Sequence, residues 1–256
     1  MAAKEDFWTR EQTIIAFKLY CEIPFGQAHS RNSKVQEVAK IIGRSSGAVA
    51  RKLGNFGSLD PELKKRGVKG LGNRSKLDEI IWNEFHEDWN KLAFESVKLI
   101  ADFKNENIEK EVDIDLQKLP KGTYKLREIK TRVSQDFFRS AVLAAHENTC
   151  CITGIKIREL LIASHIVPWR IDEENRTNPT NGLCLNALHD KAFDAGLITV
   201  LPDLKILVSK QINEKIKDDS VTNFFTNYNG KKIIIPHKFV PQKEFLEYHY
   251  QNIFKK

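Results

Sequence analysis

No run of apolar residues in this 256-residue chain approaches the roughly 20 needed to cross a bilayer. The first 25 residues carry Glu5, Asp6, Arg10 and Glu11 where a secretory signal has a basic start and an apolar stretch, so the chain reads as soluble and cytoplasmic, without a membrane partner. Cysteine is scarce. Cys21, Cys150, Cys151 and Cys184 are too few for a staple framework, the adjacent pair is poorly placed to bridge itself, and a reducing compartment leaves all four as thiols. They are expected as small buried hydrophobes. Internal repeats and low-complexity tracts are absent as well. With 41% hydrophobic and 29% charged residues there is still apolar material for one large domain or two modest ones, which excludes a wholly disordered chain.

The net charge of +7 is mild, so its placement matters more than its size. Between Arg44 and Lys76 stand nine basic residues (Arg44, Arg51, Lys52, Lys64, Lys65, Arg66, Lys69, Arg74 and Lys76) and two acidic ones, Asp60 and Glu62. The stretch from Ile100 to Pro120 has net charge −3. A polyanion would meet the first segment and avoid the second. The alternative for a basic cluster is a solvated face.

The first hundred residues read as helical. Thr9 is a candidate N-cap with Gln12 as its capping-box partner, and Pro24 with Gly26 ends the run. In SKVQEVAKIIGRSSGAVARKLGNFGSLDP, Val35, Val38, Ala39 and Ile42 share one helical face, Gly43 turns the chain, and Ser45 or Ser46 caps a second helix. Ala48, Val49 and Leu53 then face inward and Arg44, Ser46, Gly47, Ala50 and Arg51 outward, a helix-turn-helix pattern that a plain helical bundle also produces. LDEIIWNEFHEDWNKLAFESVKLI reads as one amphipathic helix, with His86 beside its apolar face. The polar run 104–120, closed by Pro120 and Gly122, reads as an acidic linker between a helical domain (1–103) and a second domain (121–256).

From Cys150 the pattern changes. Leu160 to Ile166 reads as a buried strand ended by Pro168, Asn181 and Gly182 open a short strand with Leu183 and Leu185, and a helix from Ala187 to Ala195 closes at Gly196. A strand histidine, His165, an asparagine sixteen residues later, Asn181, and a helix-start His189 or Asp190 suit convergence on one metal ion. Such a ββα clamp fits phosphodiester hydrolysis, because an imidazole takes a proton from water at neutral pH while a divalent cation neutralises phosphate charge.

Thr153-Gly154, His165-Ile166, Pro168-Trp169, Asn181-Gly182-Leu183 and Phe193-Asp194, in that order, resemble the HNH endonucleases of bacterial restriction type. RVSQDFFR (132–139) extends the resemblance loosely, and AVARKLGNFGSLDP resembles the leading domain of some of these nucleases. The resemblance implies an α+β protein in which an N-terminal helix-turn-helix-like domain precedes a ββα-metal nuclease domain with its core motif at 150–200. It implies hydrolysis of double-stranded DNA with Mg²⁺ or Mn²⁺. By the same resemblance His165 is the general base, Asn181 either ligates metal or holds the loop, and His189 and Asp190 compete for the helix ligand, with His189 favoured. The catalytic set is then His165, Asn181 and His189, and the metal set His189, Asp190 and Asn181.

Two departures stand out. Ser164 occupies a place where many relatives have aspartate, and the paired Cys-x-x-Cys elements of a structural zinc are missing, so no structural zinc is expected. Asp194 reads as structural, as do His237 and His249. The DNA-binding candidates are Arg44, Arg51, Lys52, Lys64, Lys65 and Arg66, with Arg170, Arg176 and Lys191 flanking the motif. One site cuts one strand, so a homodimer is expected for a double-strand break. A modification-dependent or mobile-element nuclease, or a non-catalytic DNA-binding protein with a decayed finger, are the alternatives.

Overall fold

The computed structural model describes residues 7–68, 70–111, 123–213 and 218–256, which divide into two compact units at Phe137 and Phe138. The first is helical: α1 (Arg10–Glu22), α2 (Ser33–Ile41), α3 (Ser46–Leu59), α4 (Pro61–Lys65), α5 (Lys76–Phe85), α6 (Trp89–Lys104) and α7 (Ile108–Glu111), with α8 (Thr123–Ala145) running across the division. The starts of α1 to α6 are each fixed by a short polar side chain that accepts from orphan backbone N–H groups. The capping box of Thr9 and Gln12 opens α1, Ser45 opens α3, and Ser75 with Asp78 opens α5.

Helix α1 is buried on nearly every side, from Thr13 to Cys21, and packs against α2, α3, α5 and α6. Its Phe17 and Tyr20 meet Phe56 of α3 and Trp82 of α5 at ring-centroid distances of 4.8 to 6.1 Å. Two buried polar links tie this aromatic core to the chain. Asp60 caps α4 through one carboxylate oxygen and accepts from the Tyr20 hydroxyl at 2.6 Å through the other. Asp78, fully buried, accepts from Lys52 Nζ, from Asn55 Nδ2 at 3.0 Å and from the Ser75 amide at 2.9 Å.

The turn between α2 and α3 contains Gly43 at φ 68°, a left-handed conformation that only glycine adopts without strain. Gln12 of α1 spans the turn, donating to the Ile42 carbonyl and accepting from Arg44. Farther along α3 the Leu71 amide donates to the Gly54 carbonyl, so the chain after α4 covers the second half of the helix.

The second unit takes the end of α8 and a mixed core. β1 (Leu161–His165) pairs antiparallel with β2 (Gly182–Asn186), with His165 opposite Gly182, and α9 (Ala187–Asp194) follows directly, capped by Asn186. A second pair, β3 (Ile198–Val200) and β4 (Ile206–Val208), precedes α10 (Lys210–Asn213), α11 (Asp219–Phe224) and α12 (Lys243–Asn252). Phe138, Val142, Leu161, Leu183, Leu185, Phe193, Ile198 and Leu246 belong to one continuous core.

The structure corrects several sequence expectations. The stretch after Arg74 is two helices, because Asp88 accepts from the Lys91 amide and starts α6 anew, and Ile80 of its apolar run is 47% exposed. KKIIIPHKFVP (231–241), whose apolar run reads in sequence as a short strand, forms only one isolated bridge, Lys205 with Lys232. Its amides go to separate partners: Ile233 to Leu204, Ile234 to Cys151 and His237 to Ala145. As expected, the four cysteines are buried and form no disulfide. Of the acidic stretch, residues 104–111 end α6 and form α7, while 112–120 lie outside the described residues, as do Lys69 and residues 121–122.

Candidate active site

His165 closes β1, its ring stacked on Phe138 of α8 at 3.6 Å between centroids and met edge-on by Trp169 at 5.5 Å. Its Nε2 lies 3.0 Å from the Arg176 carbonyl, which only accepts, so Nε2 carries the proton and Nδ1 the lone pair. Burial holds its pKa down to about 4, against the pull of the Arg176 carbonyl, so the ring is neutral at pH 7. A cavity of about 340 Å³ opens beside it, lined among others by Trp169, Arg170, Asp194 and His249.

Asn181 is 1% exposed and its amide is consumed by the loop it closes. Oδ1 accepts from the Val167 amide at 2.8 Å, and Nδ2 donates to the Val167 and Asn175 carbonyls. Of the two roles the resemblance leaves open, the geometry is that of the loop holder. Asn175 continues the tie through Asp172 and Asn178, which fixes the segment that presents the Arg176 carbonyl to His165.

His189 does not occupy the place expected of a ligand. It is 1% exposed, Nδ1 lies 3.0 Å from Asn186 Oδ1, and Nε2 lies 2.8 Å from the Phe224 carbonyl, between the rings of Phe225 and Tyr228. Both nitrogens face protein oxygens. The ring lies between α9 and the end of α11, and burial lowers its pKa.

Asp190, one residue on, is half-buried, and desolvation raises its carboxyl against the opposing effect of Ser164 and Lys191. Ser164 Oγ is buried without a hydrogen-bond partner of ordinary geometry among the described residues. Asp194, one turn beyond Asp190, borders the His165 cavity, and desolvation followed by repulsion from Asp190 raises its carboxyl. In sequence Asp194 reads only as a helix-closing residue; its i, i+4 spacing from Asp190 is the signal that places both on one helix face. Among the described residues no group of three or more His, Cys, Asp or Glu side chains is arranged to hold a metal ion.

Residues 150–201 match the model of a family described as HNH endonuclease. This segment is an HNH endonuclease domain. No curated protein is significantly similar to the chain. The domain implies a nuclease that binds nucleic acid, and HNH nucleases are generally divalent-metal dependent.

Around the HNH domain Arg170 and Lys191 are exposed, but Arg176 is committed elsewhere. Its Nε donates to the Trp169 carbonyl at 2.8 Å, its guanidinium lies 5.0 Å over the Trp169 ring, and Nη2 pairs with Glu173. It clamps the loop. In the helical unit Arg51, Lys64, Lys65 and Arg66 are exposed, and Arg44 reaches back to Gln12 and the Phe7 carbonyl. Lys52 is a correction: 4% exposed and paired with Asp78, with Nζ 4.6 Å from the Trp8 ring centroid, it presents no charge to solvent. No described helix is long and apolar enough to cross a membrane.

Proposed function

We propose that the chain is a restriction-type endonuclease of the cytoplasm that hydrolyses phosphodiester bonds in double-stranded DNA, using Mg²⁺ or Mn²⁺ and acting as a homodimer. The observation that carries the reading is His165, a neutral imidazole whose Nε2 proton is fixed on a carbonyl and whose Nδ1 is left for water. Nδ1 takes a proton as the water oxygen attacks phosphorus. The P–O3′ bond breaks in line, the 3′ oxygen takes a proton from solvent water, and the products carry 5′-phosphate and 3′-hydroxyl.

Asp194, which lines the His165 cavity, and Asp190, one turn before it on α9, offer carboxylate oxygens that suit a hard cation better than a soft one, and the buried Ser164 Oγ, one residue before His165, adds a hydroxyl. A divalent cation held by Asp190 and Asp194 would neutralise negative charge on the phosphate and on the leaving oxygen. Arg170 and Lys191, exposed near the motif, are placed to meet DNA phosphates, and Trp169 with Arg176 keeps the loop in place.

For the helical unit, α2 and α3 are read as a helix-turn-helix. The covered second half of α3 leaves its first turns, with Ser46, Gly47, Ala50 and Arg51, for the major groove. Lys64, Lys65 and Arg66 then supply backbone contacts.

The enclosure of both His189 nitrogens by protein oxygens favours one second reading, a DNA-binding protein whose finger has decayed. Titration with Mn²⁺ separates the two. The nuclease reading expects one site per chain, weakened at least tenfold in Asp190→Asn and Asp194→Asn and kept in His189→Gln. Absence of any site favours the decayed finger.

A further inference from the structure

Three residues around His165 close on one another. His165 Nε2 donates to the Arg176 carbonyl at 3.0 Å, and the ring meets Trp169 at 5.5 Å between centroids with the planes at 83°. Arg176 returns to Trp169 twice: Nε donates to the Trp169 carbonyl at 2.8 Å, and the guanidinium lies 5.0 Å from the indole centroid. Nη2 is taken up by Glu173 at 2.9 Å. Arg176 therefore touches His165 through its main chain and Trp169 through its side chain, and Trp169 touches His165 in turn.

This circuit is separate from the tie made by Asn181. Asn181 bonds Val167 on one side of the loop and the Asn175 carbonyl on the other. The oxygen facing His165 belongs to the next peptide. A crankshaft turn of that rigid plane about its flanking single bonds would swing the oxygen away without breaking a bond to Asn181. The Arg176 side chain opposes such a turn, because a planar guanidinium bonded at Nε and laid on an indole fixes the direction in which the side chain leaves its own backbone. A lysine would hold the same carbonyl with a freely rotating ammonium and would give up the planar stack.

We propose that the side chain of Arg176 is a positioning residue for the cleavage reaction: by gripping Trp169 it sets the direction of its own carbonyl, and through that carbonyl the tilt of the His165 ring and the aim of Nδ1 at the attacking water. The inference rests on the reading of His165 as the base, and it gives the Arg176 guanidinium no phosphate to hold. Its effect belongs to orientation, where small displacements of a reacting group are costly.

The test compares wild type, Arg176→Ala and Arg176→Lys in duplex cleavage kinetics and in proton–nitrogen correlation spectra of the His165 Nε2–H, assigned by its loss in His165→Gln. In Arg176→Ala kcat should fall about tenfold or more while KM stays within about twofold. Exchange of the Nε2 proton with water at neutral pH should speed up about tenfold or more, because the bond to the carbonyl has loosened. Arg176→Lys should lie between the two proteins in both measurements. An unchanged kcat, a raised KM at unchanged kcat as a phosphate contact would give, or an Nε2 proton exchanging as in wild type would each overturn the proposal. The spectrum reads the bond between His165 and Arg176 whether or not DNA is cut. Equal cleavage by His165→Ala would therefore sink the base reading alone, and the exchange rate would still decide whether Arg176 orients the ring. If Arg176→Ala does not fold, as judged by circular dichroism, Arg176→Lys decides by the same measurements, with a several-fold loss of kcat and faster exchange expected and wild-type behaviour contradicting the proposal.

Discussion

His165 owes its chemistry to two neighbours acting on one ring. Phe138 removes water from its face, and the Arg176 carbonyl fixes the proton on Nε2. An isolated histidine titrates near 6.5, but burial brings this one to about 4. The acid limb of its catalysis should therefore lie near pH 4, not near 6.5, in a pH profile of DNA cleavage. A limb centred at 6.5 would mean that the ring is solvated. The sign for stability follows from the same shift. The unfolded chain takes up this proton near pH 6.5 and the folded chain only near 4, so the contribution is full above 6.5 and is lost as pH falls between them. His249, also near 4 and stacked on Phe193, acts in the same direction.

Single residues are legible in the sequence where chemistry and local spacing coincide. His165 and Asn181 stand out by motif, and the Thr9–Gln12 capping box is present in the structure. The fate of His189 is not legible, because it depends on the Phe224 carbonyl 35 residues away. Lys52 lies three residues after Val49 and four before Phe56, on the buried face, yet its carboxylate partner stands 26 residues later in another helix. No local pattern supplies such a partner.

At the scale of elements, the short ββα unit is held by the C-terminal helix. Gly196 takes φ 70° after α9, and a Cβ there would lie 2.1 Å from the Ile253 carbonyl. Lys255 donates to the Gly196 carbonyl, while His249 of α12 contacts Thr199 and the Phe193 carbonyl through its two ring nitrogens. The turn after Asp194 is thus locked against α12. Gly196→Ala should cost about 1–2 kcal/mol for the left-handed backbone alone, more once the clash is relieved. Thermal or urea unfolding measures this, and an unchanged midpoint would contradict the close packing. The β1–β2–α9 order is legible because Pro168, Asn181-Gly182 and Gly196 punctuate it. The break between α5 and α6 is not, because apolar periodicity continues across His86 and only the Asp88 cap interrupts it.

The whole molecule carries a basic helical unit and a unit containing the HNH domain. If the first reads DNA, charge should matter only where it reaches solvent. Replacing Arg51, Lys64, Lys65 and Arg66 by alanine should reduce the slope of log affinity against log salt by about 0.9 for each phosphate no longer neutralised. Lys52→Ala should instead destabilise the fold by about 3–5 kcal/mol, because it leaves Asp78 buried without its cation. Fluorescence anisotropy with duplex DNA at several salt concentrations reads the first, and urea unfolding the second. An unchanged salt slope in the quadruple variant would make the cluster a solvated face.

The most direct measurement is plasmid nicking with Mg²⁺ or Mn²⁺ by the wild-type chain and by His165→Ala. The account predicts metal-dependent nicking by the wild type and a loss of at least a hundredfold in the variant, with its fold intact by circular dichroism. Equal nicking by the two proteins would contradict the assignment of His165 as the base.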